Sequence, residues 1–482
     1  MIPGVVREAA RRFRDQVALV DPDGVETTYL DLYKASKDAA GGLLELGVGY
    51  GDVVALSMRS SREYAVAYLA AARIGAITAG INPRLSADER ARIVERADPK
   101  LIVAADDLTD GLPSDREVVN ELPTGDAPPR LRVDPEHPVA IVFTSGTTGE
   151  PKGAVFRNRQ LAAITMFDTG GAWGGGGPML VSTEMPHVGF MTKFPWYLRT
   201  GARMYLLRRW RAADALRLIT EHKMPSVGGI GAQIALMLRL PDFDSYDVSA
   251  VKAIIVGGAR SSPELIEEAK RRFQAAYSVR YSSTESGGVG TLTAFDAPDE
   301  EAMYTVGRPR DGIDLAIRDE NGNELPLGEV GEVTLRSPAM MSEYWNEPDN
   351  TAAAIRDGWL YTQDLGFIDP DGCLRLAGRS KEMFIRGGYN VYPLEVEAVL
   401  AAHPRVADVA VVPKEDAVMG EIGVAVIVPR GDAPTLEDLR EFAAGRLAAY
   451  KLPEAIKVMT ELPLTDFHKV DRRRLQQEAA EI

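Results

Sequence analysis

The chain reads as an α/β protein: a large N-terminal domain of several α/β subdomains, followed by a small α+β domain. Three observations predict this. At 482 residues it exceeds a single domain of ~150 residues. Short, continuous apolar runs, Val139–Phe143 and Ala253–Val256, each run directly into glycine-rich sequence, as strands buried on both faces of a parallel sheet do. Past the basic, polar segment Gly378–Glu382 the pattern changes to a compact helix–strand–strand–helix–strand series.

The elements follow in order. Ser60-Ser61-Arg62-Glu63 has the pattern of a capping box, and Tyr64, Ala65, Tyr68, Leu69 and Ala72 recur behind it at helical spacing. The apolar stretch 64–81 is broken by Arg73 and two glycines, which makes it a packed helix and turn and not a membrane span. Gly174 to Gly177 is expected to be a mobile loop. In the C-terminal part a helix is expected from Pro393 through His403 and strands at 409–412, 424–428 and 456–459. Thr435, with Asp438 three residues on, should cap another helix. The domain boundary is set near Lys381, giving domains 1–380 and 381–482.

Composition narrows the function. With 45% hydrophobic and 26% charged residues the chain is an ordinary globular protein. Its 55 Lys+Arg against 70 Asp+Glu give a net charge of −15, which argues against nucleic acid as a partner. Cys373 is the only cysteine, so no intrachain disulfide and no cysteine-based zinc site can form. The N-terminus mixes Arg7, Arg11, Arg12 and Arg14 with apolar residues and has no unbroken apolar core, so no secretory signal is expected. A cytoplasmic protein without an integral membrane segment follows; a homo-oligomer is left open.

The sharpest local feature is Thr144-Ser-Gly-Thr-Thr-Gly-Glu-Pro-Lys-Gly153. Gly146, Gly149 and Gly153 let the backbone turn its N–H groups toward one point. The hydroxyls of Thr144, Ser145, Thr147 and Thr148 add donors, and Lys152 adds positive charge. This is chemistry for holding a polyphosphate. It is not a Walker-type loop, because Pro151 precedes the lysine and Gly153 follows it.

The segment resembles the signature loop of the adenylate-forming superfamily, in its acyl-CoA synthetase branch. The rest of the chain is similar to that family in order: Thr28–Leu32, Gly51–Ala55, Gly75-Ala76, Asn82–Leu85, Gly257-Gly258-Ala259, Tyr281–Glu285, Val306–Pro309, Tyr361–Asp364, Gly378–Glu382 and Lys469. Each motif alone is modest; their joint order is specific.

The resemblance implies an ATP-dependent acid–CoA ligase that forms an acyl-adenylate and then a thioester, using ATP, Mg²⁺ and CoA. It implies that Glu285 holds Mg²⁺ with Thr284 near the α-phosphate, and that Gly258, Ala259 and Tyr281 line the adenine. Asp364 and Arg379 would take the ribose or phosphate. Lys469 would bridge carboxylate and α-phosphate, and His187 would gate the acyl site. Without the motifs, Asp364 reads as a helix cap, Arg379 as half of a surface ion pair, Lys469 as a solvated lysine and His187 as a structural histidine. The acyl pocket is expected from His187, Phe190, Gly229, Gln233, Ser286 and Gly287. The pantetheine arm is expected along Gly387, Gly388 and Tyr389, with Lys381 as the hinge between the two half-reactions.

Asn158, Arg260, Ser282, Gln363 and His468 depart from the family's usual residues; glycine is usual at 282, 363 and 468, histidine at 158 and proline at 260. Pro186, His187 and Val188 offer no aspartate for a substrate ammonium, which disfavours α-amino acids. Two alternatives stay open: an enzyme that loads a fatty or aromatic acid onto a carrier-protein phosphopantetheine, and a non-catalytic nucleotide-binding homologue. Fatty, aromatic, alicyclic and steroid-derived acids all remain candidates for the acyl group.

Overall fold

The computed structural model describes residues 2–482 except 145–150, 259–260, 380–381, 387–388, 417–418, 445, 448 and 466–468. By contacts the chain divides into two units. The first holds 1–297, 309–314 and 336–360; the second holds 298–308, 315–335 and 361–482.

In the first unit, a six-stranded sheet has the order Glu117–Val119, Leu101–Ala104, Val53–Ser57, Ile77–Gly80, Pro138–Thr144, Lys152–Arg157. The first five strands are parallel to their neighbours and the last is antiparallel. Strands 53–57, 77–80 and 101–104 are buried at every position, as the central strands of a parallel sheet covered on both faces are. Ile77, Ala79, Ile93, Val94, Ile102, Ile141 and Val155 make the core on one side of this sheet.

The helix Arg62–Ile74 crosses between two of these strands and ends on Gly75 in the left-handed region (φ 74°). Its cap differs from expectation. Ser61, not Ser60, caps it by accepting from the Tyr64 N–H. Ser60 turns instead to Glu184, donating to Oε2 at 3.0 Å, while accepting the Met185 N–H at 3.1 Å. Long-range partners outcompeted the local box.

A second parallel set, Ser226–Gly229, Ala253–Gly257 and Ala276–Tyr281, is joined by the antiparallel Thr291–Leu292. The run at 253–256 was expected to be buried on both faces. Only Ile254 and Val256 are buried; Ala253 and Ile255 on the other face are half-buried. A third sheet orders Glu26–Thr28, Val17–Val20, Arg203–Tyr205 and Pro178–Leu180. Gly174 to Gly177 lies in irregular backbone before the last of these. The N-terminal residues form the helix Ile2–Phe13, whose Ile2, Val5, Val6, Ala9 and Ala10 are buried while Arg7, Arg11 and Arg12 face outward.

In the second unit, residues 364–368 pair antiparallel with Leu374–Arg379. The C-terminal sheet contains Phe384–Arg386, Tyr389–Val391, Val406–Asp416, Gly420–Pro429 and Ala455–Val458. The expected strands are all present: the first two run longer than the apolar runs that announced them, and the third, Ala455–Val458, has the expected length shifted by one residue. The expected first helix is Pro393–Leu400, finished by turns at Ala402 and His403. Thr435 caps the helix Leu436–Ala443, with Asp438 closing a capping box. Val396, Leu400, Val411, Ala425, Ile427 and Leu439 form the core here. Among the described residues, no helix is long and apolar enough to cross a membrane.

Candidate functional site

The phosphate-loop sequence sits at the turn of a hairpin. Pro138–Thr144 and Lys152–Arg157 pair antiparallel, with Thr144 opposite Lys152. Ser145, Gly146, Thr147, Thr148 and Gly149 lie outside the described residues. The register delivers Lys152 at the loop's exit, at the carboxyl end of the strand that enters it, where open α/β sheets bind ligands.

A segment distant in sequence then fixes the lysine. Residues 342–345 run alongside Lys152–Arg157: Ser342 N–H donates to the Val155 carbonyl (3.0 Å), Val155 N–H to Glu343 (2.9 Å), and Trp345 N–H to Gly153 (2.7 Å). This places the Tyr344 ring 5.2 Å from the Lys152 ammonium. Lys152 Nζ also donates to Asn350 Oδ1 at 2.9 Å. Asn350 Nδ2 in turn donates to Glu347, which pairs with Arg96 at 2.9 Å. Among the described residues, then, Lys152 has only neutral partners, and its charge remains available to an incoming anion.

Tyr344 links this lysine to the second motif. Its hydroxyl donates to Glu285 Oε1 at 2.8 Å, and the Met341 N–H donates to the Glu285 carbonyl at 2.7 Å. Burial, with the Glu285 charge beside it, raises the Tyr344 phenol well above its ordinary value, so it stays a proton donor at working pH. Glu285 sits in a tight turn after the strand Ala276–Tyr281. Ser283 N–H donates to Ser286 Oγ (3.0 Å) and Ser286 N–H to Ser283 Oγ (3.1 Å), while Gly287 N–H reaches the Thr284 carbonyl (2.9 Å). Gly287 has φ 71°, and a Cβ there would lie 2.4 Å from the Ala339 carbonyl, so only glycine fits. Tyr281 is buried at the strand's end; Gly258 follows the neighbouring strand, and Ala259 lies outside the described residues.

Among the described residues no group of three or more His, Cys, Asp or Glu could hold a metal ion. Glu285 keeps Oε2 beyond the oxygen bound by Tyr344. One carboxylate oxygen near the expected phosphate lysine would suit Mg²⁺, which takes few protein ligands and completes its shell with phosphate and water oxygens.

His187 precedes the short helix Val188–Met191. Its Nε2 lies 3.3 Å from Asn82 Nδ2. Asn82 Oδ1 accepts the Arg84 N–H at 3.0 Å, which orients the amide so that Nδ2 donates to the imidazole and leaves the His187 proton on Nδ1. Phe190 is fully buried, stacked 4.6 Å from Phe194 and edge-on to Tyr64, so its ring belongs to an aromatic core. Gln233 spends its amide on backbone, accepting from Ile230 N–H (3.0 Å) and donating to the Ser182 carbonyl (3.0 Å). Gly229 ends the strand before it, and Ser286 is buried in the Glu285 turn.

The remaining predicted residues belong to the second unit. Asp364 and Arg379 are direct partners in the antiparallel pairing of Trp359–Ile368 with Leu374–Arg379. Gln363, where the family's usual residue is glycine, has φ 61°, a left-handed conformation that glycine adopts without cost. Lys469 follows 466–468, which lie outside the described residues; its backbone closes a small loop, with Thr465 N–H donating to the Lys469 carbonyl at 2.7 Å. That loop is anchored by Arg472, which donates to Glu397 at 2.7 and 2.8 Å and to the Val411 carbonyl at 3.0 Å. Arg386 pairs with Glu454, Nε to Oε2 at 3.0 Å. Tyr389 opens the strand after it, and Gly387, Gly388 and the hinge candidate Lys381 lie outside the described residues.

Sequence reasoning missed Tyr344, Asn350 and Asn82 as partners of Lys152, Glu285 and His187. Asn82 stood within a quoted motif, but Tyr344 and Asn350 carry no local signal. A lysine at the exit of a hairpin and a carboxylate, linked through one tyrosine, form an arrangement that suits the phosphates of a nucleotide on an α/β framework.

Comparison with known proteins agrees. The AMP-binding enzyme family model matches residues 6–345, and that of the AMP-binding enzyme C-terminal domain matches 395–469. The fatty acid–[acyl-carrier-protein] ligase ScoC of Streptomyces coeruleorubidus is 31% identical over 94% of this chain and 92% of its own. The indoleacetate–CoA ligase of Aromatoleum aromaticum is 30% identical over 94% and 93%. ATP-bound MatB from Rhodopseudomonas palustris superposes with a TM-score of 0.89 at 25% identity, covering 100% of this chain and 99% of that one. The chain belongs to the AMP-binding enzyme family.

Proposed function

We propose that this protein is an ATP-dependent acid–CoA ligase working in the cytoplasm. In the first half-reaction a carboxylate oxygen attacks the α-phosphorus of ATP and pyrophosphate leaves. In the second, the CoA thiol attacks the acyl carbon and AMP leaves. The first half brings two anions together, so its barrier is largely electrostatic.

The observation that carries this reading is the Lys152–Tyr344–Glu285 arrangement. It sets an ammonium that has no anionic partner among the described residues on the ring of the same tyrosine whose hydroxyl holds the Glu285 carboxylate. Lys152 would neutralise the phosphates. Glu285, with Thr284 adjacent, would hold the Mg²⁺ that shields them. Asp364 and Arg379 would take the ribose, and Lys469 would bridge the carboxylate and the α-phosphate. His187, held by Asn82, would stand at the acyl entrance. Lys381 is proposed as the hinge that exchanges Lys469 for the Gly387–Tyr389 segment between the halves. The relatives support thiol transfer: several carry CoA ligase names, and ScoC carries that of a carrier-protein ligase.

The test is AMP release across a broad panel of carboxylic acids, with CoA and a phosphopantetheinyl carrier protein as competing acceptors. CoA-dependent AMP release with at least one acid is expected. Release with the carrier alone would move the acceptor, and release with neither would overturn the reading.

A further inference from the structure

Lys152 meets two neutral groups, and one short helix sets both. The helix Pro348–Ala354 carries Asn350 in its first turn, with Thr351 next to it. Thr351 Oγ1 accepts the Tyr344 N–H at 2.9 Å and donates to the Glu347 carbonyl at 2.8 Å. That fixes the backbone of the residue whose ring lies 5.2 Å from the Lys152 ammonium. Asn350 Oδ1 accepts from Lys152 Nζ at 2.9 Å.

What lies on the far side of the Asn350 amide decides which end faces the lysine. A carboxamide has one accepting end and one donating end, so a neighbouring carboxylate must meet the donating end. Glu347 is that neighbour. Its Oε2 accepts from Asn350 Nδ2, and its Oε1 accepts at 2.9 Å from Arg96 Nη1, on the helix Ala87–Ala97. With Nδ2 engaged there, Asn350 presents its oxygen to Lys152.

The choice of an amide has a chemical consequence. An aspartate at 350 would have the same shape and would also accept from the ammonium, but it would pair with Lys152 and spend the charge before an anion arrived. The amide occupies one of the lysine's three donors and leaves its charge whole. The negative charge that orients the amide is matched to Arg96. We propose that Asn350 is a positioning residue for the first half-reaction: it fixes Lys152 toward the polyphosphate of ATP without neutralising it, and Glu347 and Arg96 set its amide. This rests on the reading of Lys152 as the phosphate lysine.

The experiment measures Mg·ATP binding to the full chain by calorimetry, with no acid present. Asn350→Leu removes the acceptor at similar size and should raise Kd about tenfold, the scale of one hydrogen bond from a charged donor. In a Lys152→Met background the same substitution should raise Kd less than about twofold, because the group it positions is gone. Asn350→Asp keeps the shape and the acceptor and should also raise Kd about tenfold or more, because the ammonium is then paired. Thioester formation from supplied acyl-adenylate, which carries no polyphosphate, should stay within about twofold of the parent in both variants, a result that a general loss of structure would not give. Equal losses from Asn350→Leu with and without Lys152 overturn the proposal, as does Mg·ATP binding to Asn350→Asp as tight as to the parent. If Asn350→Leu fails to fold, the aspartate variant decides. Pyrophosphate release across the acid panel separates the two readings. A parent that binds Mg·ATP but releases none with any acid ends the ligase reading, while the calorimetric comparison still decides the role of Asn350. A parent that binds no Mg·ATP overturns both.

Discussion

Tyr344→Phe probes the one hydrogen bond that ties the phosphate-loop lysine to the expected metal ligand. The substitution removes a single oxygen. The ring stays against Lys152, where it lies 5.2 Å from the ammonium, and Glu285 loses a donor at 2.8 Å. A hydrogen bond to a charged acceptor is worth about 1.5–3 kcal/mol. If all of it serves to hold Glu285 for the adenylating transition state, the rate falls about 10- to 150-fold. Acid-dependent ATP–pyrophosphate exchange reads that step directly. Repeating the substitution in a Glu285→Gln background separates this route from any other. A hydrogen bond to a neutral amide is worth only about 0.5–1.5 kcal/mol, so Tyr344→Phe should cost less there, and the coupling should be about 1 kcal/mol. Equal losses in both backgrounds, within about 0.5 kcal/mol, would show that Tyr344 does not act through Glu285. Because burial holds the phenol well above its usual value, the effect should not vary with pH across the working range.

Three further outcomes are expected. Lys469→Ala should lower pyrophosphate release about 10²–10³-fold while sparing thioester formation from supplied acyl-adenylate; near-normal pyrophosphate release would remove Lys469 from the first half-reaction. At the exposed left-handed Gln363, replacement by glycine should leave stability within about 1 kcal/mol of the parent, whereas Gln363→Val should lie about 1–2 kcal/mol below the glycine variant in urea unfolding; equal stabilities would mean the backbone relaxes out of φ 61°. Hydrogen bonds from the Thr435 backbone and hydroxyl, then Arg405, hold the Asp438 carboxyl down to about 2. A depressed carboxyl stabilises fully above its unfolded value and loses that contribution as pH falls through the folded one. The stability gap between parent and Asp438→Asn should therefore be present at neutral pH and close between about pH 4 and pH 2. A gap that persists at pH 2 would contradict the assignment.

Local features were legible and distant partnerships were not. The strand that ends at Thr144 follows from an apolar run that must be buried before a glycine-rich loop; the return strand Lys152–Arg157 was not read. The Thr435–Asp438 cap follows from side chains three residues apart. Ser60 shows the limit: its local box lost to Glu184, more than a hundred residues away. Tyr344 and Asn350 were invisible for the same reason, since they meet Lys152 only because 342–345 lies along the hairpin. Phe190 was offered as a pocket wall from its place after His187; its packing on Phe194 and Tyr64 is a long-range partnership that its position did not announce. Gln363 was readable only as an oddity; its positive φ supplies the reason glycine is usual there.

The central claim is that this chain joins an acid to AMP with charge supplied by Lys152 and Glu285. Acid-dependent ATP–pyrophosphate exchange, run with the parent and with Glu285→Gln over a Mg²⁺ titration, tests it most directly. Exchange in the parent that requires a carboxylic acid, together with a higher Mg²⁺ midpoint and a lower rate in Glu285→Gln, is the predicted result. Identical Mg²⁺ midpoints and rates for the two proteins, or no exchange with any acid, would contradict it.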